Sequence, residues 1–97
     1  MNEEADVHAI VITAKIETGH ELEAAEELKT NVLPIVKATP GIVSAYWLAP
    51  VEGRGLSVLI LENEEAARGA AAMIPNSPRP DFVSFDSIEV REVVEKI

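Results

Sequence analysis

A single tryptophan, a single tyrosine, two histidines and a handful of arginines are the side chains through which this chain could do chemistry. Trp47 could stack its indole on a flat ligand, although a lone tryptophan also serves as a large core or interface residue. Tyr46 precedes it on the same predicted strand and so points to the opposite face. The two cannot line one cavity unless a bulge intervenes. His8, at the start of the first predicted strand, could act as a general base or a polar anchor, because histidine titrates near neutral pH. The plainer reading leaves it half exposed at a strand end. His20 falls in a first helical turn and reads as solvated. Two histidines this far apart, with no third at ligand spacing, make no metal motif. Arg54, between two glycines, could close over an anion. Arg91, with Asp86 and Glu89, could form cross-strand ion pairs or line a cavity mouth. The ligand-binding candidates are therefore Trp47, His8, Tyr46 and Arg91, and no catalytic set emerges from residue types and spacing.

The elements that must position these residues follow from hydrophobic periodicity. Val7 to Ile16 (VHAIVITAKI) is β-branched and strand-like. Thr18 and Glu21 have the spacing of a capping box, and Leu22, Ala25, Leu28, Val32 and Ile35 then recur at helical steps. Pro34 should kink this helix or start a tighter last turn, and Thr39-Pro40-Gly41 ends it. Ile42 to Ala49 and Leu56 to Leu61 read as strands, joined by Pro50 to Gly55, a connection longer than a two-residue turn. Asn63 caps a second helix whose core side is Ala67, Ala70, Ala71 and Ile74. Pro75 ends it, and the proline-rich stretch to Asp81 is an irregular loop. Phe82 to Val94 is the last strand. Its apolar phase shifts between Phe85 and Ile88, which calls for a bulge near Asp86-Ser87.

Composition bounds the class. The chain has 97 residues, suited to one domain over 1–97, with 47% hydrophobic and 26% charged residues. At this length roughly 60–65% of the unfolded surface can be buried. There is no cysteine, which excludes disulfides and thiolate metal cages and fits a reducing cytoplasm. The start, Met1 to Asp6, is acidic where a signal peptide is basic. No apolar run approaches the ~20 residues of a membrane helix. Net charge is −9, from 17 acids against 8 bases, a surface that repels phosphate backbones and anionic lipid. Nucleic acid and membrane are therefore not expected as partners.

The order βαββαβ predicts a four-stranded antiparallel sheet with both helices on one face. The other face should be polar if water covers it. Instead Val7, Ala9 and Val11 oppose Ile10, Ile12, Ala14 and Ile16. Val43, Ala45 and Trp47 oppose Ile42, Tyr46 and Leu48, and Leu56, Val58 and Ile60 oppose Leu59 and Leu61. Both faces are apolar over three strands, beyond what a soluble monomer leaves bare. Hiding even ~500 Å² contributes about 12 kcal/mol before association costs. A second copy, sheet against sheet, is the expected cover.

The run VHAIVITAKIETGHELEAAEELKTNVLPIVKATPGIVSAYWLA resembles the dimeric α/β-barrel superfamily, and within it the antibiotic-biosynthesis-monooxygenase-like domains. The shared features are a first strand, a Thr-Gly turn, a long acidic amphipathic helix, then Pro-Gly and a strand bearing Tyr46 and Trp47. The resemblance covers nearly the whole chain. It implies a ferredoxin-like α+β fold and a homodimer whose two sheets enclose a cavity for polycyclic phenols, quinones or heme, where oxygenation can proceed without metal or flavin. The heme-degrading branch carries an asparagine on the first strand and a histidine on the second helix, besides a tryptophan. Here neither is present, and Asn31 and Asn63 fall on a helix and a cap. The polyketide-oxygenating branch uses asparagine, tryptophan, tyrosine and arginine, for which this chain offers Tyr46, Trp47 and Arg91 but no strand asparagine. The expectation is a homodimer that binds a small apolar or aromatic molecule in the barrel cavity and needs no cofactor. Alternatives are a cofactor-independent monooxygenase and a regulatory or structural module, the latter with Glu17-Thr18-Gly19 as a ligand loop. An RNA-binding reading of the same topology fails, because Leu56 and Val58 stand where stacking aromatics are needed.

Overall fold

The β-branched run HAIVITAKI forms β1 (His8–Ile16), and the sheet is built outward from it. In the computed structural model, which describes residues 6–97, the strand order is β2-β3-β1-β4, antiparallel throughout. The other strands are β2 (Ile42–Val51), β3 (Arg54–Leu61) and β4 (Val83–Glu92). Two helical stretches connect them on one face: the first follows β1, and α3 (Glu64–Met73) follows β3. This is the α+β, ferredoxin-like βαββαβ arrangement. The acidic start, residues 1–5, lies outside the described residues.

The helix side of the sheet carries Ile10 and Ile12 from β1, Leu59 and Leu61 from β3, and Ile88 and Val90 from β4. Onto these α3 lays Ala67, fully buried, with Ala66, Ala70 and Ala71 around it. Small side chains let the helix approach the strands closely, so this half of the molecule holds the core. Asn63 caps α3 as its sequence promises, its Oδ1 accepting from the Ala66 amide at 2.8 Å. The helix gives way to a 3₁₀ turn, Ile74–Asn76. Gly41, at φ +82°, lets the chain entering β2 pass against α3. A Cβ there would stand 2.8 Å from the Ala66 Cβ.

The first helical stretch is built differently. α1 (Glu21–Glu27) runs into a π turn (Leu28–Val32) and then α2 (Leu33–Lys37), and none of these residues is buried. Thr18 makes no cap. His20 stands at the N-cap without a side-chain bond to the helix backbone, and Glu21 Oε1 accepts from the Gly19 amide at 3.1 Å. Pro34 sits at the start of α2, after a wider turn, and the last turn that follows is tightened, the Ala38 and Thr39 amides donating to the Ile35 and Val36 carbonyls at 3.2 and 3.0 Å. That π turn inserts a residue and slips the apolar phase. Ala24 before it, Leu28 at its start, and Leu33 and Val36 after it are half-buried, whereas Leu22 and Ile35, expected on the core face, are 85% and 60% exposed.

Two of the sheet's three register shifts set which side chains share a face. Between β1 and β4 the register skips Asp86, as the sequence phase requires. Between β2 and β3 it skips Val43, so Ile42 joins Ala45 and Trp47 on the helix side instead of opposing them. The β2–β3 connection is tighter than expected: Val51 pairs with Arg54, leaving Glu52 and Gly53 as a two-residue turn. Their φ values, 52° and 79°, are those of a type I′ hairpin.

A candidate ligand cleft between the first helix and strand two

Because the first helix stands off the sheet, space remains beneath it. At its C-terminal end, Leu33, Val36 and Lys37 of α2 face Ile42, Ala45 and Trp47 of β2 across a cleft of about 320 Å³. Val43 and Ser44 complete the rim. The walls are aliphatic and aromatic, no acid lines them, and Lys37 is the one charged group. Trp47 is half-buried here. A concave apolar pocket with a few polar groups is the ordinary form of a small-molecule site.

A second, more open cleft of about 370 Å³ lies along the other half of the same stretch. Its walls include Glu23, Glu26 and Glu27 from the helix and Pro80 and Phe82 from the loop before β4. His20 stacks on Phe82, ring centroids 4.7 Å apart and 8° from parallel, while its Nδ1 meets Glu23 Oε1 at 2.8 Å. His20 therefore pins the start of α1 to the β4 loop.

Of the four candidates read from the sequence, only Trp47 lines the apolar cleft. It does so on the helix side, not on the face expected to border a chamber between two sheets. Tyr46 points to the open face of the sheet opposite Val58 and is 58% exposed. Arg91 is also on the open face, beside Ala9, paired with Glu89 on its own strand. His8 is on the helix side but at the far end of β1, between Leu61 and Glu92 in register. It is buried rather than half exposed, and its Nδ1–H donates to the Asp6 carbonyl. Arg54 is held by Asp86, Nη1 to Oδ2 at 3.1 Å. The cleft residues missed from the sequence are Leu33, Val36 and Lys37. The signal was present in their one-turn spacing, but it is out of phase with the face that precedes the π turn.

No protein-family model and no curated protein matches the chain. Solved structures do. The heme-degrader MhuD of Mycobacterium tuberculosis, with two hemes bound in its active site, aligns with a TM-score of 0.67 and 24% identity over 94% of this chain and 98% of that one. A monooxygenase from the gene ActVA-Orf6 of Streptomyces coelicolor, in complex with the ligand Nanaomycin D, aligns at 0.62 and 16% identity, over 99% and 94%. The fold is that of the antibiotic-biosynthesis-monooxygenase-like α/β barrels. A protein of unknown function from Nitrosomonas europaea aligns too, with a TM-score of 0.68 and 19% identity over 97% of this chain and 95% of that one. Among the described residues no helix is long and apolar enough to cross a membrane.

Proposed function

We propose that this protein is a homodimeric binding protein for a small flat apolar or aromatic molecule, held in the cleft between α2 and β2. The observation that carries the reading is the placement of Trp47 on the wall of an apolar cavity of about 320 Å³, the lower end of small-molecule sites. An indole face presented to such a cavity stacks on a planar ring system. The fold adds support, since two proteins that share it hold hemes or Nanaomycin D.

The dimer rests on the open face of the sheet. Ala9, Val11, Val58 and Ile60 occupy its middle, with Leu56, Tyr46 and Leu48 toward the β2 edge. Among the described residues no helix covers them; Tyr46 and Leu48 are 58% and 51% exposed, while Ala9 is itself buried. A patch of this kind is the usual mark of an interface. Light scattering on a size-exclusion column at low micromolar concentration should give twice the 10.5 kDa chain mass. A clean monomer would remove the dimer.

A cofactor-independent monooxygenase is the second reading, favoured by the fold shared with the Streptomyces coelicolor enzyme. It has less support within the chain, because Trp47, Tyr46 and Arg91 do not meet in one cleft and β1 has no asparagine. Both readings answer to one titration. Trp47 fluorescence, followed against quinones, anthrone-like phenols and heme, should show saturable quenching by at least one planar compound. Oxygen uptake with the phenols would promote the second reading over the first, and a flat response to the whole panel would sink both.

A further inference from the structure

The cleft holds a charge that the binding of an apolar molecule does not use. Lys37 lines it, and among the described residues Lys37 has no ion-pair partner. Lys15 and Lys29 also stand outside the ion pairs, so what sets Lys37 apart is its place on the wall of an apolar cleft that also holds Trp47. A lysine in the last turn of a helix does offset the negative end of the helix dipole. That accounts for its residue type. It does not account for the lining around it, in which Lys37 is the one charged side chain, Ser44 and Trp47 carry the other polar groups and no acid is present. The other cleft on the same helix is the reverse, with three glutamates on its wall. A cation without an acid in the first, and acids without a cation in the second, make the two unequal toward anions.

We propose that the α2–β2 cleft selects planar aromatic anions, with Trp47 stacking on the ring system and Lys37 meeting a carboxylate or phenolate at its edge. This rests on the reading of the cleft as a ligand site and names its ligand class. Long-range electrostatics do not supply the preference. The net charge of −9 disfavours anions, and at physiological salt that field is screened beyond about 8 Å. The attraction has to come from a cation at contact distance, with the cleft walls excluding part of the competing water.

The test compares anthraquinone-2-carboxylate with its neutral carboxamide, both followed by Trp47 quenching, in the unmodified protein and in Lys37→Gln and Lys37→Arg. Lys37 is exposed, so neither substitution disturbs the core. The acid should bind about five- to tenfold more tightly than the amide, the range of one partly desolvated charged contact. The preference should vanish in Lys37→Gln and persist in Lys37→Arg. Equal binding of acid and amide would overturn the anion selectivity and leave the ligand site standing. A preference that survives Lys37→Gln would overturn the role of Lys37. Quenching by neither compound, after the wider panel has also failed, would remove the site itself.

Discussion

The two helical stretches of this molecule sit on the same face of one sheet and do opposite work. α3 is short, rich in alanine and pressed onto β1, β3 and β4, with Ala67 fully buried. The stretch from Glu21 to Lys37 is longer and carries larger apolar residues, yet buries none of them and has a cleft along each half. Burial follows from closeness of approach rather than from side-chain size. Alanines let one helix make the core, while leucines, a π turn and glutamates hold the other away and leave room for a ligand. Stability should therefore reside under α3 and binding under the first stretch.

Substitutions can break or sharpen that contrast. The largest effect should come from the floor beneath α3. Leu61 and Ile10 have no exposed surface, so Leu61→Ala or Ile10→Ala should cost about 2–5 kcal/mol in a urea melt. A smaller loss at either position would mean that the core lies elsewhere. Next comes Gly41→Ala, which combines a positive φ with a contact to the Ala66 Cβ at 2.8 Å and should cost about 1–3 kcal/mol. Asn63→Ala removes the α3 cap and should cost about 1 kcal/mol. Leu22→Ala, on the other stretch, should change stability by less than about 0.5 kcal/mol despite the loss of a large apolar side chain, because that side chain is 85% exposed. A penalty as large as that of Leu61→Ala would erase the distinction.

The smallest effect is electrostatic and belongs to α3. The Arg68 side chain, hydrogen-bonded to Glu64 one turn earlier, lowers the Glu64 pKa from its usual 4.5. A carboxylate depressed in the folded state stabilises the fold above its unfolded pKa, and the contribution fades as pH falls through the folded value. Arg68→Gln should therefore flatten the stability profile slightly on the acid side, with no change at neutral pH in high salt. The pair is exposed, so the difference should be small and should disappear on screening.

The same contrast governs what could be read from the residues alone. The α3 half was legible because each signal there is local: an asparagine before an acidic first turn, alanines at helical spacing, and a phase change at Asp86 that only a bulge can repair. The sheet order and the apolar open face follow from alternation in β1 and β3. The first stretch misled because the insertion at Leu28–Val32 leaves no mark in residue type, and a regular helix drawn through it puts Ile35 inward and Val36 outward. The Val43 bulge hides in the same way, since Ile42, Val43 and Ala45 are all apolar and either phase looks acceptable. It decides that Ile42 sits with Trp47. The site was half legible for the same reason: Trp47 was found by its type, whereas nothing in the type of Lys37 sets it apart from the other lysines, and only the folded chain places it on the cleft wall.

Amide hydrogen exchange, read element by element with and without anthraquinone-2-carboxylate, tests the division most directly. In the free protein the amides of α3, β1 and β3 should exchange only through global opening, and those of Glu21 to Lys37 should exchange faster. Saturation with the ligand should slow the second group, most of all α2, and leave the first unchanged. Equal protection of both helical stretches in the free protein, with no response in α2 when ligand is added, would contradict the assignment of core to one and binding to the other.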